Sequence, residues 1–151
     1  MEARISIITL GVAEMDRAIR FYRDGLGWQT PSKEGDDWAI FRTAGTRLSL
    51  YPRDKLAEDI GPGVSPGDWT FGGITLAHNA RTKEDVDAIL VQAERAGGRI
   101  LKRAQDADWG GYSGYFADLD GYPWEVAWST NNRFDEQGTL WGGPLGEPPS
   151  A

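Results

Sequence analysis

The sequence contains no cysteine and a single histidine, His78, among its 151 residues. The missing thiols exclude disulfides and thiolate chemistry, and any mechanism that needs a histidine must use His78. No apolar run is long enough for a membrane-spanning helix, and no signal peptide is recognisable before the first predicted strand. We therefore expect a cytoplasmic protein without a membrane partner.

Basic residues are also scarce relative to acidic ones. The chain has 16 Lys and Arg against 23 Asp and Glu, which gives a net charge of −7. Because binding to nucleic-acid phosphates needs clustered Lys and Arg, we do not expect a nucleic-acid partner. The seven tryptophans are many for this length. They favour either a large core or an aromatic wall for a ligand, and composition leaves both open.

The chain carries one order of elements twice. The first half has an apolar strand (4–12), an amphipathic helix that ends at glycines (about 14–24) and two further strands (38–41 and 45–51). The second half repeats this order with a strand (74–78), a helix that begins with a capping box of Thr82 and Asp85 (about 82–96) and three further strands (100–101, 113–116 and 121–127). This repeat predicts an α+β fold of two βαβββ modules, whose curved mixed sheets surround a central cavity.

Stretches rich in proline, glycine and polar residues predict the boundaries of the domain and its modules. A single domain over 1–129 would hold module one at about 4–52, a linker at about 53–70 with one helical turn at 54–60, and module two at about 71–129. Residues 105–114 read as a loop rich in glycine and aromatics, and 130–151 as an extended tail. Whether the modules pair within one chain or exchange with a second chain stays open.

Strand alternation predicts two different sheet faces. One set of positions is large and apolar and should pack under the helices: Ile8, Leu10, Val12, Leu48, Leu50, Ile74, Leu76, Trp124, Val126 and Trp128. The other set is small and mildly polar and should line the cavity: Ile7, Thr9, Gly11, Ser49, Tyr51, Gly73, Thr75, Ala77, Glu125 and Ala127. This assignment places Glu125 in the cavity and His78 on the helix side.

Two segments resemble a known family. The run from Val12 through Arg17-Ala18-Ile19 and Phe21-Tyr22 to Leu26-Gly27 is similar to the opening of the vicinal oxygen chelate superfamily. That superfamily includes glyoxalase I, bleomycin-resistance proteins and extradiol dioxygenases. Residues 116–125 resemble its final turn and strand, and 109–115 resemble a loop of a glyoxalase-like bacterial branch. The resemblance covers about 4–129 and implies the two-module fold and a homodimer.

The resemblance also implies where a metal would bind. Metal enzymes of this superfamily take ligands from the first and last strand of each module. Those positions here are Ile7, Ser49, Gly73 (or Gly72) and Glu125. Ile and Gly have no donor side chain, neutral Ser is a poor ligand, and one carboxylate does not hold a catalytic metal. We therefore expect no metal and no other cofactor.

Glu125 is the main candidate for chemistry, as a general base or as a carboxylate that anchors a ligand. The residues expected to line a ligand site are Thr9, Ser49, Tyr51, Thr75, Trp109, Tyr112 and Tyr115. We expect a structural role for His78, and also for Asp118 and Asp120, which lie in a predicted turn. Two functions remain open. One is metal-free binding of a small organic molecule, as in the bleomycin-resistance branch. The other is an enzyme, either lyase- or isomerase-like or related to dioxygenases, that uses Glu125 as base or metal ligand.

Overall fold

A computed structural model describes residues 7–60, 74–108, 110–136 and 138–142. The chain divides into two compact units, Met1–Gly73 with Leu119–Gly121, and Ile74–Asp118 with Tyr122–Ala151. Each unit contains one mixed sheet and at least one helix, which confirms the predicted α+β class. In the described part of the chain, no helix has the length and apolar character needed to cross a membrane.

The first unit holds a three-stranded sheet. Its strands are β1 (Ile7–Val12), β2 (Ala39–Phe41) and β3 (Arg47–Pro52), in the order β1-β3-β2. Strand β1 is parallel to β3, and β2 is antiparallel to it. A βαβββ module has four strands, but residues 7–60 form only three. Residues 29–37, which lie between the helix and β2, are polar and lack the alternation of a strand, which explains the missing fourth strand.

The helix of the first unit changes its winding midway. Helix α1 covers Met15–Arg20 and continues as a π-helical turn over Phe21–Gly25, where the amide of Leu26 donates to the carbonyl of Phe21 at 2.9 Å. Gly27, at φ +76°, ends this segment as predicted. The apolar side of the helix is buried together with the sheet. The largest fully buried side chains are Ile19 and Tyr22 of the helix and Phe41 and Leu50 of the sheet.

The second unit is a complete βαβββ module. Strand β4 (Leu76–Asn79) is followed by helix α3 (Lys83–Arg95) and strands β5 (Arg99–Asp106), β6 (Tyr112–Ala117) and β7 (Pro123–Trp128). The sheet order is β4-β7-β6-β5, with β4 parallel to β7 and the other pairs antiparallel.

The capping box of α3 is confirmed. The Thr82 hydroxyl accepts from the Asp85 amide at 3.0 Å, and the Asp85 carboxylate accepts from the Thr82 amide at 3.1 Å. Two amides at the start of the helix are thereby satisfied. The helix buries Val86, Leu90 and Ala93, as its 3.6-residue periodicity predicts. Phe116 and Trp124 of the sheet are buried too, with their rings stacked 6.1 Å apart.

Three local expectations need revision. The predicted linker begins with helix α2 (Arg53–Ile60), which is longer than one turn, and the rest of the linker lies outside the described residues. Residues 105 and 106 belong to β5 and Tyr112 to β6, so the loop is shorter than 105–114. Part of the expected tail forms a hairpin of β8 (Asn132–Phe134) and β9 (Leu140–Gly142). In its turn, the Asp135 carboxylate accepts from the Thr139 amide at 2.7 Å, a side-chain contact that favours a hairpin.

Candidate functional site

Glu125 lies in the middle of β7, next to tyrosine on one side and alanine on the other. The register pairs Glu125 with Tyr115 of β6 and with Ala77 of β4. Because directly paired residues point to the same face, these three side chains share one face of the sheet. Glu125 and Tyr115 are half-buried, and Ala77 is exposed.

The Tyr115 phenol lies beside the Glu125 carboxylate. Burial of the phenol, and secondly its interaction with this carboxylate, raise the pKa of Tyr115 above its usual value of 10. The tyrosine therefore stays protonated at neutral pH. A carboxyl group has two oxygens with several lone-pair positions, so Glu125 can interact with Tyr115 and accept from a ligand as well.

Tyr112 and Tyr115 lie on opposite faces of the sheet. Tyr112 pairs with Trp128, and its hydroxyl donates to Asp87 of α3 at 3.0 Å. The bond to Asp87 raises the pKa of the Tyr112 phenol. The sequence places both tyrosines at one ligand site, whereas the structure brings only Tyr115 to Glu125. Their separation by three residues in one strand puts them on different sides.

Thr75 precedes β4 and donates through its hydroxyl to the Pro123 carbonyl at 3.0 Å, near the start of β7. This bond places Thr75 beside the strand of Glu125. Trp109, the remaining candidate in this half of the chain, lies outside the described residues.

In the first unit, two candidate residues contact each other directly. Thr9 and Ser49 are register partners on β1 and β3, and their hydroxyl oxygens are 2.7 Å apart. Ser49 is fully buried, whereas Thr9 is exposed. Tyr51 follows on β3, near Asp59 of α2. Burial of the phenol, and secondly the negative charge of Asp59, raise the pKa of Tyr51.

Helix α2 packs against the small-residue face of this first sheet. A Cβ added to Gly11 would lie 3.2 Å from Cδ2 of Leu56 and 3.3 Å from Cα of Arg53. Gly11 is therefore small because the helix approaches closely there, not because it lines a cavity. This corrects the expectation that every small side chain of the face faces a ligand.

The metal-ligand positions do not suit a divalent ion. Ile7 offers no donor atom, Ser49 is buried with its hydroxyl bonded to Thr9, and Glu125 lies beside Tyr115. Gly73 lies outside the described residues. Within the described ranges, no three His, Cys, Asp or Glu side chains converge as a metal site would require.

His78 lies on the helix side of its sheet, as the alternation predicts. Its register partner is Val126, one residue along from Glu125, and it borders a cleft against α3. Its neighbour Asn79 accepts a hydrogen bond from the Asn132 side chain at 3.0 Å. Partial desolvation lowers the pKa of the His78 imidazole from its ordinary 6.5.

This lowered pKa gives a pH prediction. A folded-state pKa below the unfolded value means that the His78 contribution to stability is complete above pH 6.5. It should decrease as the pH falls from 6.5 towards the folded pKa. An NMR titration of the one imidazole should have its midpoint below 6.5, and His78→Asn should remove this part of the pH dependence of unfolding. A midpoint above 6.5 would contradict the desolvated environment.

Solved structures share this fold. A glyoxalase-related enzyme from Fulvimarina pelagi is 28% identical, with 93% of this chain and 98% of that chain covered and a TM-score of 0.83. A glyoxalase/bleomycin resistance protein/dioxygenase family enzyme from Burkholderia phytofirmans PsJN is 16% identical, with 83% and 98% covered and a TM-score of 0.72. Lactoylglutathione lyase from Agrobacterium tumefaciens is 22% identical, with 84% and 94% covered and a TM-score of 0.63. No curated protein matches the chain significantly.

The sequence itself assigns the family. The model of the Glyoxalase/Bleomycin resistance protein/Dioxygenase superfamily matches residues 4–126. The chain belongs to this superfamily, and the resemblance to the vicinal oxygen chelate proteins is confirmed. Because the superfamily name covers binding proteins and enzymes, membership alone does not choose between the two functions.

Proposed function

We propose that the protein binds a small organic molecule on the Glu125 face of its second sheet, without a metal ion. The observation that carries this proposal is the Tyr115–Glu125 pair at the middle of the sheet, next to the small side chain of Ala77. A carboxylate acceptor surrounded by small and aromatic side chains is the kind of group that orients a ligand in a mostly apolar site.

The donor chemistry of the superfamily's metal positions supports the metal-free part of the proposal. Of the positions that the structure describes, Glu125 alone has a side chain that readily binds a divalent cation. A thermal-shift series with Ni²⁺, Zn²⁺, Mn²⁺ and Fe²⁺ tests it, since a ligand that binds only the folded state raises the melting temperature. We expect no shift. An EDTA-reversible rise, or stoichiometric metal in the purified protein, would overturn it.

Glu125→Gln should weaken binding of any compound found by a thermal-shift screen of small aromatic and apolar molecules. Losing a charged hydrogen-bond acceptor corresponds to about tenfold or more in affinity. Asp87→Asn is the matched control, because Asp87 is the carboxylate partner of Tyr112, as Glu125 is of Tyr115, but on the helix face. Calorimetry should show weaker binding for the first variant and unchanged binding for the second. Equal affinity in both would remove Glu125 from the site.

The alternative is a lyase- or isomerase-like enzyme. The contact between Tyr115 and Glu125 favours it. With a carbonyl compound bound, the Tyr115 hydroxyl would turn from Glu125 to the carbonyl oxygen, and Glu125 would be left to take a proton from the neighbouring carbon. The Fulvimarina pelagi relative, which is described as a glyoxalase-related enzyme, also supports this alternative. Turnover that persists in EDTA and is lost in both Glu125→Gln and Tyr115→Phe would establish it. Binding without turnover would favour the first proposal.

We also propose that the protein forms a homodimer, as the superfamily resemblance implies. Sedimentation equilibrium measures the mass directly. A species near twice 16.6 kDa is expected, and a monomer at all concentrations would contradict the proposal.

A further inference from the structure

The second unit contains a cleft on the helix side of its sheet, away from the Glu125 face. Its volume is about 370 Å³, and its walls are the end of β4, one side of α3 and the β8–β9 hairpin. This volume is in the range of small-molecule sites. His78 and Glu125 occupy neighbouring register positions on β4 and β7 but opposite faces, so the cleft is distinct from the proposed Glu125 site.

One wall of the cleft is apolar. Ala88 and Ile89 contribute from α3, one turn after Asp85, and Phe134 contributes from β8. The hairpin is tied to the sheet by the bond from Asn132 to Asn79 at 3.0 Å. This bond holds the strand that carries Phe134 to the sheet, and Phe134 and Ile89 both present apolar surface to the cleft.

Arg81 supplies the positive charge. Its guanidinium lies over the Phe134 ring, 4.7 Å from the centroid, and it lines the cleft. Among the described residues, no carboxylate forms an ion pair with Arg81. A guanidinium that stacks on a ring still has its N–H donors in its own plane, and their spacing matches the two oxygens of a carboxylate.

The other polar groups favour an anion over a cation. The Asp85 carboxylate accepts from the Thr82 amide in the capping box, where the positive end of the α3 helix dipole offsets part of its negative charge. His78 is mostly neutral at pH 7 because its pKa is lowered, and a neutral imidazole offers one N–H donor. The arrangement therefore offers donors from Arg81 and His78 beside an apolar wall.

We propose that this cleft is a second binding site, for a small aromatic carboxylate whose acid group bonds to Arg81 and His78 and whose ring packs between Ile89 and Phe134. Neither the superfamily match nor the Glu125 site implies it. The net charge of −7 opposes anions at long range, so recognition of the acid group has to come from the local contacts with Arg81 and His78.

The single histidine provides a direct measurement. In ¹H–¹³C NMR spectra, benzoate should shift the His78 imidazole signals in a saturable way, whereas benzylamine, which has the same ring and the opposite charge, should not. Arg81→Gln should weaken benzoate binding about tenfold or more, since it removes a charge-assisted bidentate contact. Arg81→Lys retains the positive charge but cannot form a bidentate contact, so its affinity for benzoate should lie between those of the wild type and Arg81→Gln.

Two controls make the result specific. Arg95→Gln removes an exposed charge at the far end of α3 and should leave benzoate binding unchanged. Glu125→Gln should also leave it unchanged, so failure of the Glu125 proposal does not affect this test. Equal shifts with benzoate and benzylamine, or equal benzoate affinity in Arg81→Gln and the wild type, would overturn the proposal.

Discussion

Gly114→Ala is expected to lower the free energy of unfolding by about 3 kcal/mol, an overpacking effect at the upper end of its usual range. An added Cβ would lie 2.6 Å from Cδ1 of Leu90, 2.8 Å from the Ala104 nitrogen and 2.9 Å from the Lys102 oxygen. The latter two atoms belong to the backbone of β5, so a change of rotamer cannot relieve them. Urea unfolding followed by circular dichroism measures the loss.

Gly110→Ala is the comparison variant. Gly110 has φ +86°, and among the described residues other than its chain neighbours no atom lies within 4 Å of an added Cβ, so its substitution introduces mainly backbone strain. This strain should cost about 1 kcal/mol. Combining Gly114→Ala with Leu90→Ala should not restore stability, because the contacts with β5 remain. If Gly114→Ala costs no more than Gly110→Ala, close packing of β5 over β6 is not what requires glycine.

Asp120→Ala is expected to destabilise the first unit by about 3 kcal/mol, because it removes a buried carboxylate that interacts with two partly exposed arginines. The Asp120 side chain is only 2% exposed. Its Oδ1 accepts from the Ala13 amide at 2.8 Å and from Arg17 at 3.2 Å, and Arg53 lies 3.6 Å away. Through these contacts, Asp120 connects the residues just before and within α1 to the first residue of α2.

Two further variants separate charge from hydrogen bonding. Asp120→Asn keeps an oxygen for the Ala13 amide and should lose less than Asp120→Ala. Asp37→Ala removes a carboxylate that is 81% exposed and bonded to Lys55 at 3.0 Å, and such surface pairs contribute about 0–1 kcal/mol. Thermal unfolding of the three variants should rank Asp120→Ala as least stable. A loss equal to that of Asp37→Ala would mean that the cluster contributes little.

Local patterns in the sequence predicted much of the fold. The periodicity of α3, its capping box and the glycine after the first helix are short-range signals, and the structure has all three. Alternation along single strands also placed His78 on the helix side. Each of these depends on residues a few positions apart, where the backbone geometry is the same in every protein.

The contacts of the candidate site could not be predicted from the sequence, because they depend on how distant strands align with each other. Tyr115 meets Glu125 because β6 and β7 pair at that offset, and no single-strand pattern specifies the offset. The same is true of Gly11, which appeared as a cavity residue because the sequence does not show which face α2 covers. Arg81 and Phe134 are 53 positions apart, and the hairpin that brings them together lies in a segment with few apolar residues.

Strand β5 has a consequence for how the protein behaves at high concentration. It lies at the edge of its sheet, and its pairing with β6 is irregular between Ile100 and Lys102 and again between Lys102 and Gln105. Bulges twist a strand and interrupt its free row of amide and carbonyl groups. Such an edge is a poor template for strand addition from another molecule. Resistance to fibril formation is therefore built into this side of the second unit, through backbone irregularity as well as surface charge.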